Sequence, residues 1–362
     1  MNAEPAQPEG LPEGAPSTEP PVLPVAPAVP APPEPPKRSW LTRLWPPVLL
    51  LVLLATGAWL ALNHDLAADW LLTRGYHPPA AIQQLVGNDT MTPYAQRLFY
   101  VNKPDIEGQA DFNRHCSNAQ DKVTVLGCYT GNRQGIYIYN ITDSRLAGIQ
   151  QVTAAHEMLH QAYDRLNNSD RTWVNAQLEA YAKTVTDPTL LAKIATYRKT
   201  EPHDLVNEYH SVFGTEVRNL PPALEQYYKR YFTDRGKIID YHDKYQGAFD
   251  QRTKEIQDYD AQLDGLKKQI DTNRSAISSQ GASLKAQRAQ LDAYLAANQT
   301  TAYNNAVPGF NQQVTTYKAT IAQTNQLINQ YNDLVAARNK IAVEEQQLQQ
   351  AIDSHAATAS QQ

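Results

Sequence analysis

Between Trp45 and Leu62 the chain runs for 18 residues without a charged side chain, and Leu, Val and Ala dominate it. As a helix rising 1.5 Å per residue, this run reaches roughly 27 Å, just short of the ~30 Å hydrocarbon core of a bilayer. It is expected to span a thin or slightly thinned membrane. A buried core helix fits poorly, because the run lies between a proline-rich leader and the polar Asn63-His64-Asp65. A cleaved signal peptide is the rival reading; the long leader and the lack of a small-x-small site after Leu62 favour an uncleaved anchor. Lys37, Arg38 and Arg43 precede the run and Asp65 and Asp69 follow it. The positive-inside rule then puts the N-terminus in the cytoplasm and everything after Asn63 outside it, as a single-pass protein of the cell membrane.

The first 36 residues hold 13 of the 24 prolines and no lysine, arginine or aromatic residue. Such a stretch buries too little apolar area to offset its ordering entropy, so residues 1–43 are expected to form a disordered cytoplasmic tail ahead of a transmembrane helix at 44–63. The net charge of −5 supplies no basic stripe and argues against nucleic-acid binding. Two cysteines, Cys116 and Cys128, are too few for a Cys-rich zinc site and allow at most one bridge; two unpaired thiols are the other possibility.

Residues 64–236 have the mixed patterning of an α+β domain. Leu98 to Asn102, Val123 to Cys128 and Ile136 to Ile141 read as short strands, early in the domain. From Ser144 the period turns helical through Leu146, Ile149, Val152, Leu159, Tyr163 and Leu166, and Asn167-Asn168-Ser169-Asp170 stops it. Further helices are expected at about 171–186, 189–199, 204–218 and 222–235.

From 237 to 355, Ile256, Leu263, Ile270, Ile277, Leu284 and Leu291 recur every seven residues, and Ile321, Ile328 and Val335 resume the pattern after a break at 298–309. A turn at Pro308-Gly309 predicts an antiparallel coiled-coil hairpin some 60 Å long, at 1.5 Å per residue, before a short disordered tail at 356–362. Asn273, Gln280 and Gln287 make its seam impure, so it is expected to be modestly stable and open to another chain, whether a partner protein or a second copy.

Chemistry concentrates in His156-Glu157-Met158-Leu159-His160. Two histidines four apart on a helix project from one face, one turn apart, and both imidazoles can reach a single zinc ion at ~2.0 to 2.1 Å. Glu157 projects about 100° around from His156, where it can take a proton from water rather than ligate the metal. Two acids compete for a third ligand position. Glu179 lies on the polar face of its helix with Thr172, Asn175 and Lys183, whereas Glu208 sits one turn from both Leu205 and Val212 on an apolar stripe. A carboxylate drawn inward must be paired or bind a metal, which favours Glu208. Glu216 and His210 are the remaining alternatives. His210 and Tyr209, beside Glu208, are candidates to stabilise an oxyanion, and the Ile136 to Ile141 strand, if it edges the sheet beside the motif helix, is a candidate to bind an extended peptide by strand addition; an ordinary core strand is the other reading.

This motif resembles that of the zincin metallopeptidases. Their metzincin branch has a third histidine six residues after the second; Leu166 stands there, so the chain looks instead like the gluzincins, whose third ligand is a glutamate from a later helix. The resemblance covers five residues and one downstream acid. It implies a zincin-like fold, a catalytic zinc ion held by His156, His160 and Glu208, Glu157 as general base, and hydrolysis of a peptide or protein substrate. A scaffold of another kind, with the hairpin as its working part and a structural metal, competes with that reading. It would not require a general base at Glu157.

Overall fold

The computed structural model describes residues 24, 30, 40–116 and 125–355. The expected disordered tails lie outside the described residues, apart from residues 24 and 30 and the last four positions of the first tail, 40–43, which are helical. The chain divides into two compact units, Met1–Asn63 and His64–Gln362. In the first, helix α1, Trp40–Leu62, contains the apolar run, all of whose side chains are exposed. It is long and apolar enough to cross a membrane.

The second unit is mostly helical. It holds α2 (His64–Thr73), α3 (Ala80–Asn88), α4 (Pro93–Tyr100), strand β1 (Asp105–Glu107), α5 (Gln109–His115), β2 (Gly127–Tyr129) and β3 (Ile136–Tyr139). Then come α6 (Ile149–Asp164), α7 (Asn168–Ala182), α8 (Pro188–Thr200), α9 (Leu205–Glu216), α10 (Pro222–Tyr228), α11 (Gly236–Ala296) and α12 (Thr300–Ile352). The expected strand at Leu98 to Asn102 is instead the end of α4. Thr92 caps that helix by accepting from the Ala95 N–H, Pro93 occupies its first turn, and Ala95, Leu98 and Phe99 are buried at helical spacing. The local start signal overrides the β-like composition.

The three strands pair in the order β1-β3-β2, with β1 parallel and β2 antiparallel to β3. β3 is therefore central, and both its edges are occupied. The expectation that Ile136 to Ile141 offers an open edge is thus corrected: β2 is the edge strand next to the motif helix. A disulfide joins Cys116, at the end of α5, to Cys128 in β2.

Helix α6 is the axis of the unit and packs on α9, α11, α4, α3 and the sheet. It begins after Gly148, whose φ of 112° places it in the left-handed region. A Cβ at Gly148 would lie 2.8 Å from the Tyr241 carbonyl oxygen in α11. At the other interface, a Cβ at Gly214 of α9 would lie 2.5 Å from Leu159 Cδ1. Small residues thus let both neighbours close on α6, and Phe213, Tyr228, Tyr231 and Phe232 fill the core around them.

Helices α11 and α12 run antiparallel, as the Asp260–Arg338 and Gln287–Gln313 contacts indicate. The reversal falls at Ala297–Gln299 rather than at Pro308-Gly309. Asn298 adopts φ 50°, and its N–H and that of Gln299 bond back to the Leu295 and Tyr294 carbonyls, a Schellman closure that ends α11. Pro308 lies inside α12. At 61 residues, α11 is about 90 Å long, because it starts well before the heptad seam. The root of this pair belongs to the core: Ile238, Ile239 and Tyr245 from α11 and Leu348 from α12 are buried. Gln109 and Asn113 of α5 donate to the Ser354 carbonyl.

Candidate metal centre

His156 and His160 emerge from the α6 face that meets α9, and Glu208 comes from the first turn of α9. The Glu208 carboxylate lies 3.8 Å from His156 Nε2 and 3.6 Å from His160 Nε2. The potential ligand atoms of all three lie within 4.8 Å of one another. A tetrahedral ion bound at 2.0–2.1 Å needs ligand atoms about 3.4 Å apart, so only a small contraction separates the trio from a coordinating geometry.

The electrostatics suit a cation. Burial, followed by the neighbouring His160, Lys193 and His210, pushes the His156 imidazole well below its ordinary pKa, leaving it neutral with a free lone pair. His160 is drawn down by burial but raised further by the Glu208 and Glu157 carboxylates, with a net rise. Burial raises Glu208, against the opposing pull of His160. Its Oε2 is buried without a hydrogen-bond partner among the described residues. A buried carboxylate oxygen left unpaired between two imidazoles is costly, and a metal ion would satisfy it. The group His156, His160 and Glu208 could hold a metal ion, and its two-nitrogen, one-oxygen donor set fits zinc.

Glu157 points from α6 toward β2, only 5 % exposed. Its carboxyl group is pushed up to about 7 by burial, with His160 lowering it, Glu208 raising it and a hydrogen bond from the Tyr129 backbone lowering it. β2 comes this close because residue 127 is glycine: a Cβ there would lie 2.9 Å from Glu157 Oε1 and 2.5 Å from Thr153 Cγ2. Leu126, Cys128 and Thr130 turn their backbone groups toward β3, so those of Gly127 and Tyr129 face the outer edge.

The other sequence candidates lie elsewhere. Glu179 is exposed on α7. Glu216 pairs with Lys193 at 2.5 Å and faces His242 at 3.6 Å. Tyr209 stacks on Phe213 in the core. His210 is fully buried, two residues and therefore about 200° around α9 from Glu208. It sits among Tyr163, Tyr227, Tyr228 and Tyr231, and its Nε2 is 2.9 Å from the Tyr227 hydroxyl. No surface of His210 is left for a substrate carbonyl, so its candidacy as an oxyanion donor falls. The hydroxyl that does reach the cluster is that of Tyr197 on α8, which bonds to Glu208. The stripe Leu190, Ile194 and Tyr197 is legible as an apolar face, but nothing in that spacing says which acid the phenol meets. Compared with protein-family models, curated proteins and solved structures, the chain matches none.

Proposed function

We propose that the protein is a membrane-anchored, zinc-dependent peptidase of zincin-like, gluzincin type, with its catalytic domain outside the cytoplasm. The observation that carries this reading is the convergence of Glu208 on His156 and His160, with the buried Glu157 carboxyl one residue away on the side of an open strand edge. A purely structural metal site has no use for that second acid. The apolar helix at Trp45–Leu62 supports the anchor, the flanking charges support the topology, and the Cys116–Cys128 bridge suits an oxidising compartment.

His156, His160 and Glu208 would hold the ion. Zinc in such a site makes water nucleophilic near neutral pH and polarises a substrate carbonyl. Glu157 accepts a proton from the attacking water on its carboxylate and returns it to the leaving amine nitrogen. The Gly127 backbone groups and the Tyr129 carbonyl on the outer edge of β2 pair with an extended peptide and orient it beside Glu157, which holds the Tyr129 N–H. Tyr197 donates its hydroxyl to Glu208 and holds that carboxylate in place. The α11–α12 pair, read as a coiled coil with a polar seam, serves as the docking arm for a protein partner.

The test is metal analysis and peptide cleavage with the full chain in detergent. Wild type is expected to hold one zinc per chain, and His156→Ala and Glu208→Ala to lose it. Glu157→Gln is expected to keep the metal and lose about 10²- to 10⁴-fold in cleavage rate. Stoichiometric zinc in both ligand variants refutes the site. Full activity in Glu157→Gln refutes the mechanism, and a metal-loaded wild type that cleaves no peptide favours the scaffold.

A further inference from the structure

Helix α2 has its polarity inside out. Its buried face carries Asp69, 1 % exposed, and the partly buried Asp65. Asp69 Oδ1 accepts from Arg165 Nη2 at 2.6 Å and from Arg133 Nε at 3.1 Å, and Arg97 Nε lies 3.8 Å from Oδ2. Asp65 pairs with Arg133 and Arg165 as well. The opposite face, spanning about 140° at 100° per residue, presents Leu66, Trp70 and Leu71, of which the last two are 62 % and 65 % exposed. The Arg74 guanidinium lies 5.3 Å from the centroid of the Trp70 ring. A helix that gives its charges to the protein and its leucines and tryptophan to the outside is matched to an apolar medium.

We propose that this face of α2 lies in the membrane interface, with Leu66, Trp70 and Leu71 among the lipid acyl chains and Arg74 at the headgroups. The occupant follows from the chain: a single residue, Asn63, separates the apolar run ending at Leu62 from the first residue of α2. Tryptophan paired with arginine is the side-chain chemistry of that layer. The inference rests on the anchor reading above and adds an orientation. Arg133 lies in the turn between β2 and β3, and Arg165 ends α6, so the ion pairs fasten the strand edge and the motif helix to the membrane-facing helix. The proposed site would then work close to the bilayer, on substrates held at or near its surface.

The test uses the full chain in vesicles of equal parts phosphatidylcholine and phosphatidylglycerol, labelled with an environment-sensitive fluorophore at one introduced cysteine. Quenching by acyl-brominated lipid is read at Leu66→Cys and Leu71→Cys, with Leu53→Cys in the span and Thr186→Cys, exposed between α7 and α8, as references. Loss of most of the fluorescence at 53, 66 and 71, with none at 186, supports the proposal. Quenching at 53 but not at 66 or 71 overturns it and leaves the anchor standing, including the case where the 71 label is shielded from water by protein. No quenching at 53 removes the anchor and this inference with it.

Discussion

Gly127→Ala is the sharpest test of how β2 meets the motif helix. The glycine does not adopt a left-handed φ, so alanine suits the backbone and by itself would stabilise the strand by about 0.5–1 kcal/mol. The added methyl group, however, would lie 2.5 Å from Thr153 Cγ2 and 2.9 Å from both Cγ and Oε1 of Glu157. Overpacking of that kind costs about 1–3 kcal/mol, so the net loss is expected to be about 1–2 kcal/mol. Glu157 relieves the clash by moving its carboxylate by about an ångström, a misplacement that in the proposed peptidase mechanism would cost about 10²-fold in rate. None of the three proposed metal ligands is touched, so on the proposed function the metal content is expected to be unchanged. Urea unfolding monitored by circular dichroism measures the first effect as a lower midpoint at constant slope; peptide cleavage measures the second. A Gly127→Ala protein as stable and as active as wild type would refute the close approach of β2 to Glu157.

Three further perturbations probe other parts of the fold. Asp89, at the end of α3, is fully buried with both carboxylate oxygens unpartnered among the described residues, and burial raises its pKa well above the ordinary value. Because the folded state holds its proton more tightly, stability is retained below the unfolded pKa of about 3.9 and lost as pH rises from there toward the folded pKa. Asp89→Asn is therefore expected to be about 1–3 kcal/mol more stable at pH 7, with the gain vanishing in urea titrations near pH 3. Removing the Cys116–Cys128 bridge, which spans 12 residues, is expected to cost about 3 kcal/mol and to lower the thermal midpoint, with hydrogen exchange rising first in β2. Asn298→Val places a branched side chain in a left-handed turn and is expected to fray the α11–α12 tip by about 1–2 kcal/mol, seen as faster exchange there, whereas Asn298→Gly is tolerated.

What could be read in the chain were features set by local period and burial. The i, i+4 histidines fall on α6 because Ile149, Val152, Leu159 and Tyr163 recur there at helical spacing, and Glu208 could be preferred over Glu179 because one shares a stripe with Leu205 and Val212 and the other does not. Ile136 to Tyr139 could be read as a strand from its β-branched and aromatic content, but its central place could not, since sheet order depends on β1, three residues long and without a pattern of its own. The place of His210 away from the trio has a related reason. Adjacency in sequence put it beside Glu208, while a separation of two on a helix puts it on the opposite side. The contact of Tyr197 is not legible because its partner lies on another helix, and the reversal falls ahead of Pro308-Gly309, at the start of the expected break, because Asn298 can adopt a left-handed turn.

The absence of a side chain at Gly148 has a mechanical consequence. The first turn of α6 and the backbone of Tyr241 are in contact with nothing between them to act as a cushion, and Tyr241 belongs to the root of a rod about 90 Å long. Such a rod is a lever with its short arm against the helix that bears both histidines. A sideways load at its far end is multiplied at the pivot, and α6 must yield or the rod must bend.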